Sequence, residues 1–194
     1  MLYSVTAVSQ LFARHGMTLF HVEHLPIHGG SLRYFGGPGR EPDETVKGYL
    51  ADEIASGLTS FEYYRDFGAR AASIKRELVR LVQELKGSGK RIAAYGAAAK
   101  GSTMLNYTGI DHRYLDFVVD RNVHKQGLYM PGVGVKIREP EALLTEMPDY
   151  VLILAWNFKD EILKQQAEYS RRGGSWIVPI PFPAILEQTV ETAG

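Results

Sequence analysis

Arg91-Ile-Ala-Ala-Tyr-Gly-Ala-Ala-Ala-Lys-Gly-Ser-Thr-Met-Leu-Asn106 decides how this chain is read. The apolar run 92–95 reads as a strand, Gly96 permits a tight turn, and Ala97, Ala98 and Ala99 are small enough for a ligand to come close to the backbone. A helix opening near Lys100 aims free N–H groups and the positive end of its dipole at that turn. Lys100 adds a cation, and Ser102 and Thr103 add two hydroxyls. The guest expected from these features is an anion of the nucleoside diphosphate kind. The plainer reading stays open beside it: Gly96 and Gly101 merely let strand and helix pack closely, and Lys100 is an ordinary solvated helix lysine.

Two familiar phosphate motifs do not fit. The triphosphatase loop requires Gly-x4-Gly-Lys-Ser/Thr, whereas the lysine here precedes the second glycine in Gly96-x4-Gly101-Ser102-Thr103, so Mg-ATP chemistry is a poor match. The dinucleotide fingerprint Gly-x-Gly-x-x-Gly is missing too, although Asp120 closes the next strand about where a ribose-binding acid would sit. Asp120 has a second reading, as a cap on the turn before Asn122.

Outward from this turn the chain alternates strand and helix. Strands are expected at 91–95, 115–119, 150–154 and 176–179, with 132–137 a short irregular addition, and helices at 99–107, 140–145 and 159–171. Nearly continuous apolar strands between amphipathic helices imply an α/β fold: a Rossmann-like parallel sheet flanked by helices. Ligands of such sheets bind beyond the strand C-termini, where strand order reverses, and 96–103, 120–122 and 155–157 all lie at strand C-termini. Upstream, 5–15 has helical spacing (Val8, Leu11, Phe12), and 18–22 and 32–35 read as strands around a turn at 26–30, so the fold carries an N-terminal helix-hairpin extension. Gly36-Gly-Pro-Gly-Arg-Glu-Pro-Asp43 is the clearest boundary. A short helix at 46–59 follows, then a long connecting helix at 61–86 with an apolar stripe (Phe67, Ala71, Ile74, Leu78, Leu81, Val82, Leu85), ended by Gly87-Ser-Gly89.

Trp156 and Asn157 stand just past a strand end, where the indole either packs in the core or stacks on a base or sugar, and Asn157 supplies hydrogen bonds. Lys125 reads as a binding cation or a surface charge. His21-Val-Glu-His-Leu-Pro-Ile-His28 invites a metal site, but on a strand His21 and His24 point to opposite faces and the spacing is not His-Glu-x-x-His, so no metal is expected. His28, Ser31 and Arg33 are better candidates for the sugar side of a cleft, against the alternative of a glycine turn feeding an edge strand.

The 194 residues, 45% hydrophobic, suffice for one good core with an appended layer. Twenty-two basic residues balance 22 acidic ones, which removes the footprint of a general nucleic-acid or membrane-surface binder. Zero cysteines exclude disulfides, thiol catalysis and cysteine-ligated zinc. With no signal-peptide pattern and no membrane-spanning apolar run, a cytoplasmic protein is expected.

Several motifs in one order, Tyr95-Gly-Ala-Ala-Ala-Lys-Gly-Ser-Thr103, Val119-Asp-Arg-Asn122, Lys125-Gln-Gly127 with Pro131-Gly132, Pro148-Asp-Tyr150 and Leu154-Ala-Trp-Asn157 with Asp160-Glu161, resemble the C-terminal domain of nucleotide-sugar C-methyltransferases. Tyr3-Ser4-Val-Thr-Ala-Val-Ser9, residues 17–24 and His28-Gly-Gly-Ser-Leu-Arg33 resemble the end of that family's central methyltransferase domain. The resemblance implies transfer of a methyl group from S-adenosylmethionine to a ring carbon of a deoxysugar on a nucleoside diphosphate, typically TDP. It implies the division 1–40 as the end of the methyltransferase domain, 41–87 as a helical linker and 88–194 as the substrate-binding domain. It also makes Gly96, Ala98, Lys100, Gly101, Ser102, Thr103, Asp120, Asn122, Lys125, Trp156, Asn157, His28, Ser31 and Arg33 the substrate-binding residues.

The family's zinc domain, its glycine-rich donor loop and the Glu-His pair that precedes the position of Tyr3 have no match in this sequence. Chemistry by this chain alone is therefore not expected, nor a cofactor bound by it alone, S-adenosylmethionine belonging to the full-length enzyme. A methyltransferase domain is the expected protein partner, docking beside apolar surface left open around Phe12, Leu19 and Phe20. A small nucleotide-dependent oxidoreductase and a docking module without a small ligand are the alternatives.

Overall fold

The computed structural model describes residues 3–27 and 30–186, and the chain divides into two units, residues 1–70 and 71–194. In the first unit the apolar positions Val5 and Val8 line the buried side of helix α1 (Val5–Arg14). Its N-terminus is covered twice: Ser4 Oγ accepts from the Ala7 N–H at 3.1 Å, and the Glu53 carboxylate accepts from the Val5 and Thr6 N–H groups at 2.7 and 2.8 Å. These bonds satisfy donors that the helix itself leaves unpaired and set a negative charge at its positive end.

Strands β1 (Thr18–Leu25) and β2 (Ser31–Gly37) pair antiparallel, with Val22 opposite Tyr34. Helix α2 (Glu44–Ala55) closes the unit's core of Val5, Val8, Leu19, Val22 and Val46, each buried and each contributing about 1.5–3 kcal/mol when fully removed from water. Leu19, expected at an open surface, is 1% exposed, because α2 lies against β1 and supplies Val46 to this core. Phe12 packs partly buried against the same cluster.

Asp43 fixes the start of α2. It accepts from the Thr45 N–H at 3.0 Å and the Thr45 hydroxyl at 2.6 Å, and its Oδ2 lies 2.6 Å from His21 Nδ1 on β1. The Thr45 hydroxyl first and His21 second hold the Asp43 carboxyl at about 2. The short helix α3 (Phe61–Arg65) follows, with the Ser60 side chain accepting from Tyr63 N–H at its start.

The division between the units falls inside α4 (Phe67–Gly87). One helix was expected over 61–86, yet the chain breaks at Asp66, a residue type that favours helix ends over interiors. Phe67, expected on the core-facing stripe, is 65% exposed, whereas Leu78 and Val82 of that stripe are fully buried.

In the second unit strands β3 (Ile92–Tyr95), β4 (Val118–Val119), β5 (Ile137–Arg138), β6 (Tyr150–Ile153), β7 (Ser175–Val178) and β8 (Ala184–Leu186) form one sheet in the order β5-β4-β3-β6-β7-β8. All neighbours are parallel except β7 and β8, which are antiparallel. The fold is thus the expected α/β, Rossmann-like sheet. Alternate residues face two buried layers: Ile92, Ala94, Val118 and Leu152 pack with α4 and with α5 (Ala99–Thr108), and Ala93, Tyr95, Val119, Val151 and Ile153 pack with α6 (Ala142–Glu146), α7 (Lys159–Gln165) and α8 (Ala167–Arg171). Helix 159–171 was expected to be continuous, but it breaks at Gln166. Strand order reverses between β3 and β6, the place where ligands of such sheets bind, so the segments that follow those two strands frame the candidate site.

Two outcomes test this packing. A Cβ on buried Gly101 would lie 2.7 Å from the Leu154 Cβ, whereas one on Gly48 in α2 meets nothing within 4 Å. In thermal unfolding Gly101→Ala is expected to cost about 1–3 kcal/mol, while Gly48→Ala raises stability by about 0.5–1 kcal/mol. An unchanged Gly101→Ala would contradict the close approach of α5 to the end of β6. The second outcome concerns acid. Because the folded pKa of Asp43 is depressed from 3.8 to about 2, its contribution is complete above the unfolded value and disappears as pH falls from about 4 to 2. Hydrogen-exchange protection at the Thr45 and Val46 amides, taken relative to the intrinsic exchange rate at each pH, should therefore fall across that window in the wild type and show no such step in Asp43→Asn.

Candidate functional site

The turn after β3 is held at both backbone polar groups of one residue, Ala97. Asp120, just past β4, accepts from the Ala97 N–H through Oδ2 at 2.7 Å, and Lys125 Nζ donates to the Ala97 carbonyl at 2.8 Å. Gly96 N–H donates to the Val119 carbonyl at 2.8 Å, and Gln126 Nε2 donates to the Asp120 carbonyl at 3.0 Å. Gly96 itself sits at φ +97°, and a Cβ there would stand 2.9 Å from the Ala155 Cβ and 3.3 Å from the Ala155 nitrogen. The position therefore requires glycine for its backbone conformation and for its contact with the segment after β6.

This frame sets the roles of several residues singled out in the sequence. Asp120 takes the capping role, with Oδ1 accepting from the Asn122 N–H at 2.8 Å and its side chain only 14% exposed. Asn122 Oδ1 accepts from the His124 N–H at 3.0 Å, and Lys125 also lies 3.5 Å from Asp120. Ser102 donates to the Pro131 carbonyl at 3.3 Å and Thr103 to the Ala99 carbonyl at 3.1 Å. Asp120, Asn122 and Lys125 therefore build the turn, while Ser102 and Thr103 tie α5 to its surroundings and to itself.

Lys100 is different. Ala98 stands at the N-cap of α5 without a side-chain capping bond, so the N–H groups of the first turn face outward beside Lys100. The Lys100 ammonium lies 4.6 Å from the centre of the Trp156 ring and 5.9 Å from that of Phe158, both on the 3-10 turn Trp156–Phe158 that follows β6. Partial burial against these rings pushes its pKa below the usual lysine value, and no carboxylate partner pairs with it among the described residues. A cation over an indole face is attracted by the ring quadrupole, by about 0.5–2 kcal/mol, and a phosphate can displace that contact. The structure thus joins Lys100, Trp156 and the α5 N-terminus at the reversal of strand order, with Asn157 in the same turn.

The remaining sequence candidates belong to the first unit. Ser31 Oγ donates to the Ile27 carbonyl at 3.2 Å, and Arg33 pairs with Glu23 at 2.9 Å across the hairpin. His28 lies outside the described residues. His21 is engaged with Asp43, and among the described residues no three His, Cys, Asp or Glu side chains gather into a metal site. No helix among them is long and apolar enough to cross a membrane.

Sequence reasoning missed two participants. Gln126, inside the quoted Lys125-Gln-Gly127 motif and assigned no role there, anchors the Asp120 carbonyl. Arg121, inside the quoted Val119-Asp-Arg-Asn122 motif, projects from the end of β4 toward Glu161 on α7, at 3.5 Å. The signal for Arg121 was its place two residues past a strand C-terminus, next to Asp120.

Comparison with known proteins agrees with this architecture. The model of the C-methyltransferase C-terminal domain matches residues 26–181. C-methyltransferase NovU of Streptomyces niveus is 35% identical over 187 residues, a region that covers 95% of this chain and 44% of NovU. The chain therefore spans less than half the length of that relative. A reversed-order parallel sheet, a glycine- and alanine-lined turn at its centre and a match over most of the sequence lead to one assignment: the chain belongs to the C-methyltransferase C-terminal domain family.

Proposed function

We propose that this chain is the sugar-nucleotide-binding part of an S-adenosylmethionine-dependent C-methyltransferase, with residues 88–194 holding a nucleoside diphosphate sugar, TDP-linked by preference. The observation that carries the proposal is the Lys100 ammonium, placed over the Trp156 indole beside the uncapped N-terminus of α5. A diphosphate entering the site takes its charge balance from Lys100 and from the first-turn N–H groups, while Trp156 is freed to stack on a base or sugar and Asn157 to bond a polar edge. The frame of Asp120, Lys125 and Gln126 fixes the turn before the ligand arrives, which lowers the ordering cost of binding.

Methyl transfer in this proposal is a property of the whole enzyme. The turn at 96–101 does not suit the donor, because the acid that would take ribose hydroxyls is committed to the Ala97 and Asn122 N–H groups. S-adenosylmethionine, when bound elsewhere in a complete enzyme, supplies the methyl group. This chain's residues bind and orient the acceptor.

Isothermal titration of a TDP-sugar checks the proposal. A charge-assisted contact contributes about 1.5–3 kcal/mol, so Lys100→Ala is expected to weaken binding about ten- to a hundredfold while circular dichroism stays unchanged. S-adenosylmethionine should give no heat with either protein. Equal TDP-sugar affinities, or no binding to either, would leave the glycine and alanines of the turn with a packing role alone.

A further inference from the structure

We propose that Arg121 is a second phosphate-binding cation of this site, kept by a loose pair with Glu161 and exchanged onto the diphosphate when it binds; this rests on the reading of the turn given above. The backbone at Arg121 is pinned, because the carboxylate of the preceding Asp120 bonds the Ala97 N–H on one side and the Asn122 N–H on the other. The residue therefore leaves the end of β4 directly beside the Gly96 turn. Its guanidinium also lies close enough to the buried Tyr95 phenol, on the last residue of β3, to oppose the rise in pKa that burial imposes there. The Tyr95 side chain belongs to the sheet layer packed by α6, α7 and α8, and Lys100 stands on α5 in the opposite layer. Two cations thus flank the turn from its two sides.

The pair that holds Arg121 is weak by comparison with its neighbours. Its contact with Glu161 is 3.5 Å long, with the side chains 65% and 57% exposed. Arg91, Arg113, Arg138, Arg171 and Arg172 each have a carboxylate within 3.0 Å. Glu161 has another partner as well, since its Oε1 accepts from Gln165 Nε2 at 2.6 Å. An exposed ion pair of this kind contributes little, whereas an arginine fork on a phosphate forms short, charge-assisted, paired hydrogen bonds. Exchange of Glu161 for a diphosphate is therefore favourable, and Gln165 keeps Glu161 engaged after the exchange.

Titration of wild type, Arg121→Gln, Glu161→Gln and Lys100→Ala with thymidine diphosphate tests this, with circular dichroism as the folding control and thymidine as the phosphate-free probe. Arg121→Gln is expected to weaken thymidine diphosphate about tenfold and to leave thymidine unchanged. Glu161→Gln, which keeps an acceptor for Gln165 but removes the competing charge, should tighten thymidine diphosphate about two- to fivefold. Wild-type affinity in Arg121→Gln alongside weakening in Lys100→Ala would overturn the role of Arg121 and leave the turn's role standing. Weakening in both Arg121→Gln and Glu161→Gln would make the pair a structural strut and overturn the exchange. No binding of thymidine diphosphate by the wild type would overturn both readings together.

Discussion

The backbone of Ala97, held at its N–H by Asp120 and at its carbonyl by Lys125, is the constraint on which the rest of the site depends. Each is a hydrogen bond with one ionised member, of a kind that contributes about 1.5–3 kcal/mol. Together they fix a backbone that would otherwise be free around Gly96, a residue already at positive φ. With Ala97 fixed, α5 begins where it does, its first N–H groups point away from the sheet, and Lys100 reaches the ring of Trp156 on the adjoining segment. Loss of either grip would leave the sheet intact and the turn unspecified.

Packing and binding are not rival explanations here. Gly96 and Gly101 are required by the close approach of Ala155 and Leu154, the packing role that the plainer reading gives them. That close approach in turn brings the segments after β3 and β6 together and seats Trp156 beside Lys100. The hydroxyls of Ser102 and Thr103 were grouped with the lysine because they adjoin it in sequence. On a helix, adjacent residues point in different directions, and these two meet the Pro131 and Ala99 carbonyls instead.

The parallel sheet was legible because β3, β6 and β7 are apolar on both faces, a pattern that strands covered by helices on two sides must have. The switch point was legible too, since Gly96 directly follows β3 and Trp156 stands three positions past the end of β6. Strand β8 was not, because Ala184-Ile-Leu186 is too short for its period to show and follows Pro181 and Pro183 closely. The breaks at Asp66 and Gln166 escaped notice because neither carries glycine or proline. The cap of Asp120 on Asn122 was one of its two readings, but its bond to the Ala97 N–H and the role of Lys125 were hidden for a different reason: their partners are backbone atoms distant in sequence, which no residue identity announces. The burial of Leu19 depended on α2 lying against β1, a tertiary contact that the hairpin's own pattern does not encode.

Membership in the C-methyltransferase C-terminal domain family sets the fold and its origin, while the claim peculiar to this account is that the strand-end turn receives a phosphate group. Amide chemical-shift mapping during titration with thymidine diphosphate tests that claim most directly. The account predicts that the largest shifts fall on the Ala99, Lys100 and Gly101 amides and on the Trp156 indole N–H, with the Lys90 and Asp149 amides at the opposite end of the strands unmoved. Shifts concentrated at that opposite end, or none at the α5 N-terminus under saturating ligand, would contradict it.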